Sequence, residues 1–199
     1  AGFKCLTFSA VNFYRSIVSI YLWIRKHLLK IDDRSQLEIA ISNGLKIGEN
    51  CHILGECIID PGHCWLISIG DNVTLAPRVH ILAHDASTKR ILGYTLIGRV
   101  TIGNNVFIGA GSIILPNVKI GNNVIVGAGS VVSRTIPDNS VALGTPARII
   151  CSYEEFVEKK KKLFNETPHY SEEYVIGNIT EERKEQMIEE LSDKIGFVI

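Results

Sequence analysis

An excess of charge of either sign is missing from this sequence: Lys+Arg and Asp+Glu each count 21, for a formal net charge of zero. That balance gives no electrostatic footprint for nucleic acid and no general pull toward an acidic membrane. Paired cysteine spacing is missing too. The five cysteines are odd in number and form no C-x-x-C pair, which argues against a disulfide framework and against a cysteine zinc site. Reduced thiols in a cytoplasmic protein are the expectation. No cleavable signal stands out. The longest charge-free apolar run, "SIVSIYLWI" at 16–24, falls well short of the roughly 20 residues that span a bilayer. Because Arg25, Lys26 and His27 follow it, residues 11–29 read as an amphipathic helix packed on its own protein or on a neighbouring subunit, with peripheral membrane contact as the alternative.

What is present is a hydrophobic content of 46%, enough for a real core, and a period that belongs to neither helix nor simple strand. Residues 102, 108, 114, 120, 126 and 132 are all Ile or Val. Helices give spacings of three and four, and half-buried strands alternate by two. A six-residue period marks a parallel β-helix, whose short strands stack coil on coil. The phase extends upstream through Ile47, Ile53 and Ile59, then Ile69, Leu75 and Ile81. Three strands per turn predict a triangular coil with these aliphatics pointing inward. Four positions after each comes a smaller inward residue, among them Cys51, Cys57, Val106, Ser112, Val124 and Ser130, so Cys51 and Cys57 read as core filler. Three positions after each aliphatic, Asn50, Gly62, Asn72, Asn105, Gly111, Asn117, Asn123 and Gly129 predict corners that need a left-handed backbone. Glu56, Arg78, His84 and Thr135 fall at the same place.

These features, and above all the run from 100 to 150 that ends "VALGTPARII", resemble the left-handed parallel β-helix (hexapeptide-repeat) acyltransferases. The likeness is to the maltose/galactoside and polysaccharide O-acetyltransferase branch. It implies an all-β core, a left-handed parallel β-helix of about four to five triangular coils, flanked by N-terminal and C-terminal helical segments. The handedness comes from the resemblance, because periodicity alone does not set it. The expected domains are a helical segment over 1–46, the β-helix over 47–150 with an inserted loop at 87–101, and a helical tail over 151–199.

The repeat is interrupted twice. "WLIS" at 65–68 reads as a four-residue insertion, and Ser87 to Thr101 as a loop; both follow the third strand of a coil. Loops added at one place on a rigid scaffold commonly build a site. His84 stands just before the longer loop, where the resemblance puts the histidine base. A sugar hydroxyl is too weakly acidic to attack a thioester unaided, and an imidazole with an ordinary pKa of about 6.5 can take its proton. Asp85 would orient the imidazole, hold the acceptor, or simply cap its own turn. His52, His63 and His80 read as structural.

"IGAGSI" at 108–113 and "VGAGSV" at 126–131 lie one coil apart, so Ala110 should stack with Ala128 and Gly111 with Gly129. By resemblance such corners line the pantetheine arm of acetyl-CoA, the acyl donor, with Ala110, Ala128, Ser133 and Arg148 as its contacts. Phe107 stands where the sugar enzymes often carry tryptophan and would pack on the pantetheine end or simply fill an interface. Where relatives of the maltose type commonly have an acceptor-contacting Asn, this chain reads Leu54, Gly55, Glu56, which makes Glu56 a candidate acceptor contact. The resemblance also implies a homotrimer, located in the cytoplasm or at the inner face of the membrane.

In the tail, Ser152 with Glu155 forms a capping-box pattern that predicts a helix over 152–166. Thr180 is an N-cap candidate for a second helix, with Gly196 marking its end. The lysine run 159–162 reads as a solvated face.

The sequence thus points to an acetyl-CoA-dependent O-acetyltransferase acting on a hydroxyl of a sugar or cell-surface glycan precursor. N-acetylation of an amino sugar and a non-catalytic β-helix scaffold are the alternatives. A zinc carbonic anhydrase of the same scaffold would need three histidines; His80 and His84 offer two and no third stands out, so no metal site is expected. Serine acetyltransferase is disfavoured, since its large N-terminal domain does not fit in 46 residues.

Overall fold

Every sixth aliphatic from Ile69 to Val132 is buried, and each contributes about 1.5–3 kcal/mol by leaving water. The computed structural model describes residues 35–199, and Ser19 upstream of them. The apolar run 16–24 and the amphipathic segment 11–29 therefore lie, Ser19 apart, outside the described residues. The chain divides into two compact units, 1–43 and 44–199. In the first, Gln36–Ser42 is a helix whose N-cap, Ser35, accepts from the Glu38 N–H while the Glu38 carboxylate accepts from the Ser35 N–H.

The second unit is a coil with three parallel sheets as its faces. Lys46–Ile47, Ile67–Ile69, Val100–Ile102 and Lys119–Ile120 stack on the first face, and Ile120 bridges on to Ile136. His52–Ile53, Thr74–Leu75, Val106–Ile108, Val124–Val126 and Ser140–Gly144 stack on the second. Ile58–Ile59, His80–Ile81, Ile113–Ile114 and Val131–Val132 stack on the third. Four complete coils and the start of a fifth result, in the register the hexad phase predicts.

The corners explain the polar part of the repeat. Asn50, Asn72, Asn105, Asn123 and Asn139 all have φ between 53° and 56°, at the junction of the first and second faces. The last four form a side-chain ladder, each amide of one coil donating to the next at 2.9–3.1 Å. One residue earlier, the side-chain oxygens of Asp71, Asn104, Asn122 and Asp138 each accept a backbone N–H from the adjacent coil at 2.8 Å. Two positions before these asparagines the coils touch backbone to backbone, and a Cβ on Gly103 would meet Gly121 O at 2.7 Å. Glycine stands there in the first four coils, at Gly48, Gly70, Gly103 and Gly121, where a Cβ would clash with the adjacent coil.

The next junction carries Glu56, Arg78, Gly111 and Gly129 at φ between 62° and 68°. The third departs from expectation. Of its positions only Asn117 is left-handed (φ 64°), while Gly62, His84 and Thr135 are absent from the positive-φ set. At the first two of these the chain leaves the coil, so no tight turn is needed. The insertions shift accordingly. Ile67 and Ser68 belong to a coil strand, so the extra residues are those of the bulge around the 3-10 turn Cys64–Leu66. The long loop is an arm. His84–Asp85 pairs antiparallel with Leu96–Ile97, Lys89–Leu92 is helical at the tip, and Val100 is already back in the core.

The coil ends in an antiparallel hairpin, Ser140–Gly144 with Ala147–Ser152, turning at Thr145 and a cis Pro146. Tyr153–Glu166 then forms a helix with the Ser152–Glu155 capping box. Glu181–Glu190 follows Thr180 as N-cap. Gly196 does not terminate this helix; it lies against Tyr170, where a Cβ would meet the ring at 3.0 Å, and leads into Phe197–Val198 beside His169–Tyr170.

Candidate active site

The arm leaves the coil beside a buried carboxylate. Asp60 directly follows the inward Ile59, and its side chain has no solvent exposure. A buried carboxylate must be hydrogen-bonded or neutralised. Asp60 Oδ1 accepts the N–H groups of Gly62 and His63 at 3.0 and 3.1 Å, and Oδ2 accepts the Ala83 N–H at 2.9 Å. The remaining partner of Oδ2 is His84 Nδ1, at 2.5 Å. Burial alone would raise the Asp60 pKa, but the bonds from His84, Ala83 and Gly62 outweigh it and hold the carboxyl below its ordinary value. An ionised carboxylate only accepts, so Nδ1 is the donor of this bond, and in the neutral ring the lone pair is then on Nε2. His84 is 36% exposed, which leaves the ring reachable from solvent.

The imidazole is therefore held by Asp60, not by Asp85. The Asp85 carboxylate is exposed and accepts the Ser87 N–H at 2.8 Å, capping the 3-10 turn Ala86–Thr88. That bond and one from the Ser87 side chain lower its pKa. Sequence reasoning missed Asp60. The signal was there: the equivalent position after the third inward aliphatic is Leu82, Leu115 or Ser133 in the other coils, and a lone carboxylate in that series calls for a partner.

His63, from the bulge, completes the surroundings. Its ring lies 5.0 Å from that of His84 and 5.3 Å from that of Trp65. Its Nδ1 is buried, 4.0 Å from Asp60 Oδ1, and has no hydrogen-bond partner. Among the described residues, Asp60, His63 and His84 form a group able to converge on one ion, with their ligand atoms within 4.8 Å of one another. His80 is not part of it; it lies on the third face, beside Ile58 and Ile113.

The other candidates are spread over the prism. Ala110 and Ala128 stack at the junction of the second and third faces, with the Gly129 N–H donating to Ala110 O at 2.8 Å. Built Cβ atoms on Gly111 and Gly129 meet nothing within 4 Å, so this edge is open enough for an extended ligand to approach the backbone. Ser133 lies across the third face, on the edge that also carries His84 two coils away. Phe107 projects from the second face and is 45% exposed. Arg148 is exposed on the terminal hairpin, opposite Leu143. Glu56 sits at the first coil's left-handed corner, below Arg78. Within one chain His84 and the Ala110–Ala128 edge are separated by the width of the third face.

Residues 99–134 match the model of the bacterial transferase hexapeptide family, which comprises six repeats. Protein CapG of Staphylococcus aureus is 39% identical over 161 residues, covering 74% of this chain and 94% of that protein. Galactoside O-acetyltransferase of Escherichia coli K12 is 44% identical over 92 residues, 43% of this chain and 44% of the enzyme. Among solved structures, the hexapeptide-repeat-containing acetyltransferase of Vibrio cholerae in complex with acetyl coenzyme A is 30% identical with a TM-score of 0.50. That match covers 55% of this chain and 61% of the other. The chain thus spans nearly all of CapG but less than two thirds of the other two. The fold in common is the left-handed parallel β-helix.

Proposed function

This chain belongs to the hexapeptide-repeat transferases, and from that membership we propose that it is an acetyl-CoA-dependent O-acetyltransferase. Its acceptor is a hydroxyl of a sugar or glycan precursor, the class named for the galactoside enzyme it resembles. The observation that carries the reading is the buried Asp60 carboxylate bonded to His84 at the root of the arm.

Bound acetyl-CoA supplies an acetyl group activated as a thioester. His84 does the proton chemistry. With Nδ1–H donated to Asp60, Nε2 accepts the proton of the acceptor hydroxyl as the new C–O bond forms. Asp60 stabilises the imidazolium so produced and keeps the ring from rotating. The imidazolium then returns the proton to the departing CoA sulfur, which leaves His84 as it began. No covalent bond to the protein is needed. The open Ala110–Ala128 edge takes the pantetheine arm, and Arg148 offers a guanidinium fork to the nucleotide phosphates. Phe107 and Ser133 complete the donor side, while Asp85 and Glu56 remain the acceptor-side candidates.

Turnover of acetyl-CoA against a panel of hydroxyl and amino acceptors, with products identified by mass, tests this reading. O-acetylated sugar is the expected product. Exclusive N-acetylation would move the assignment to amino sugars, and absence of both turnover and acetyl-CoA binding would leave only a scaffold.

A homotrimer follows from the same reading, since His84 and the donor edge lie apart within one chain and a neighbour would bring them together. The arm is suited to such a contact, with Ile91, Leu92, Tyr94, Leu96 and Ile97 all exposed. Sedimentation equilibrium should give a mass three times the 22.0 kDa of one chain; a fully active monomer would overturn the shared site. Among the described residues no helix is long and apolar enough to cross a membrane. We place the protein in the cytoplasm, with residues 11–29 as the segment that would reach the inner membrane face.

A further inference from the structure

We propose that Asp60, His63 and His84 form a binding site for a borderline divalent cation such as zinc, and that occupancy of this site takes His84 out of catalysis. The second half rests on the acetyltransferase reading; the site itself does not.

The donor set is two imidazole nitrogens and one carboxylate oxygen, a combination that suits zinc and cobalt(II) rather than magnesium or calcium. The three ligand atoms already lie within 4.8 Å of one another. His63 supplies the independent observation. Its Nδ1 is buried and without a hydrogen-bond partner, 4.0 Å from Asp60 Oδ1. A buried polar atom left unpartnered is unfavourable, and a bound ion would satisfy it.

The lone pairs of Asp60 define how the ion enters. Oδ1 is occupied by the N–H groups of Gly62 and His63, and one side of Oδ2 by that of Ala83. The other side of Oδ2 holds the His84 Nδ1 proton. A metal ion can take the place of that proton on Nδ1, the neutral ring then carrying its single N–H at Nε2, so that the ion bridges Asp60 Oδ2 and His84 Nδ1. Their separation then opens from 2.5 Å to about 3.3 Å, the edge of a tetrahedron with bonds of about 2.0 Å. His63 Nδ1 turns inward as the third ligand, and water takes the fourth position from the exposed side of His84. The backbone bonds to Asp60 hold the carboxylate in place throughout. With Nδ1 on the metal and the ring proton on Nε2, no lone pair is left to take the proton of an acceptor hydroxyl. The ion is therefore an inhibitor, not a cofactor.

The test uses the full chain without a polyhistidine tag. Titration with zinc by calorimetry should show one ion per chain, and cobalt(II) should give the intense visible bands of a four-coordinate site. His63→Ala and His63→Asn should each weaken zinc by at least about tenfold, on the scale seen when a metal site is perturbed. His80→Ala, outside the cluster, should bind as the parent does. Zinc should lower acetyl transfer in the parent, and the concentration needed should rise by the same factor in the His63 variants, each measured against its own zinc-free rate. A cobalt spectrum of the octahedral hydrated ion, or unchanged zinc affinity in both His63 variants, would overturn the site. Stoichiometric, His63-dependent binding with no effect on the rate would overturn the inhibition. Such binding in a protein that transfers acetyl to no acceptor would uphold the site and sink the transferase reading instead.

Discussion

Replacing His84 with alanine is expected to lower acetyl transfer by about 10²–10⁴-fold, the range for loss of a positioned general base, while CoA still binds. The ring lies outside the coil, and the stacking of neighbouring Ala83, which is fully buried, does not depend on it. The substitution does take a hydrogen bond from a buried carboxylate, which destabilises by about 1–3 kcal/mol. His84→Asn separates the two effects, because its amide can still donate toward Asp60 but cannot accept a proton in turnover. Both variants should be inactive, with the asparagine form melting closer to the parent. Turnover near the parental rate in either would remove His84 from the mechanism. The Asp60 carboxyl, held below its ordinary value, gives its stabilisation in full above the unfolded carboxylate pKa of about 3.9. That contribution drains away as pH falls through the lower folded value. Asp60→Asn should lack this acid limb in its unfolding profile.

How much of this was legible from the residues follows from which positions the coil constrains. An inward aliphatic every sixth residue is imposed by the stacking of coils, so the three faces and their register could be read from Ile47 to Val132. The corners at Asn50, Asn72, Asn105 and Asn123 were legible for the same reason, since successive coils repeat one left-handed turn, whereas Asn139, off the six-residue phase, was not. What was not legible lies where the repeat stops imposing anything. His84 occupied a nominal corner in the count, yet its chain is extended because it is leaving the coil for the arm. Asp60 was hidden because its partner stands 24 residues away, across a bulge whose position the phase could not place. His63 read as structural for the same cause. Gly196 resembled a helix stop, and only the packing against Tyr170 reveals close approach as its reason.

Ala128→Trp should weaken acetyl-CoA binding by at least about tenfold, or about 1.4 kcal/mol, with little change in stability. Ala128 is exposed, immediately before the left-handed Gly129, so an indole there projects outward across the stacked corner. The coil below leaves the backbone no room to retreat, since a Cβ on Gly109 would already meet Ala128 N at 2.4 Å. The flanking inward residues, Val126 and Ser130, are fully buried and untouched. Ser130 Oγ continues to donate to Gly127 O and to accept the Gly144 N–H, so the core and the terminal hairpin keep their connections. A substitution that creates neither a cavity nor a clash normally stays within about 0.5 kcal/mol. The large ring instead fills the space over the Ala110–Ala128 edge, where the proposed path of the pantetheine arm needs close access to the backbone. Calorimetric titration with CoA, alongside thermal unfolding of the same sample, reads both quantities. Parental CoA affinity in a folded Trp variant would mean that the stacked glycine corners serve only as turns, and that the donor lies along another edge of the coil.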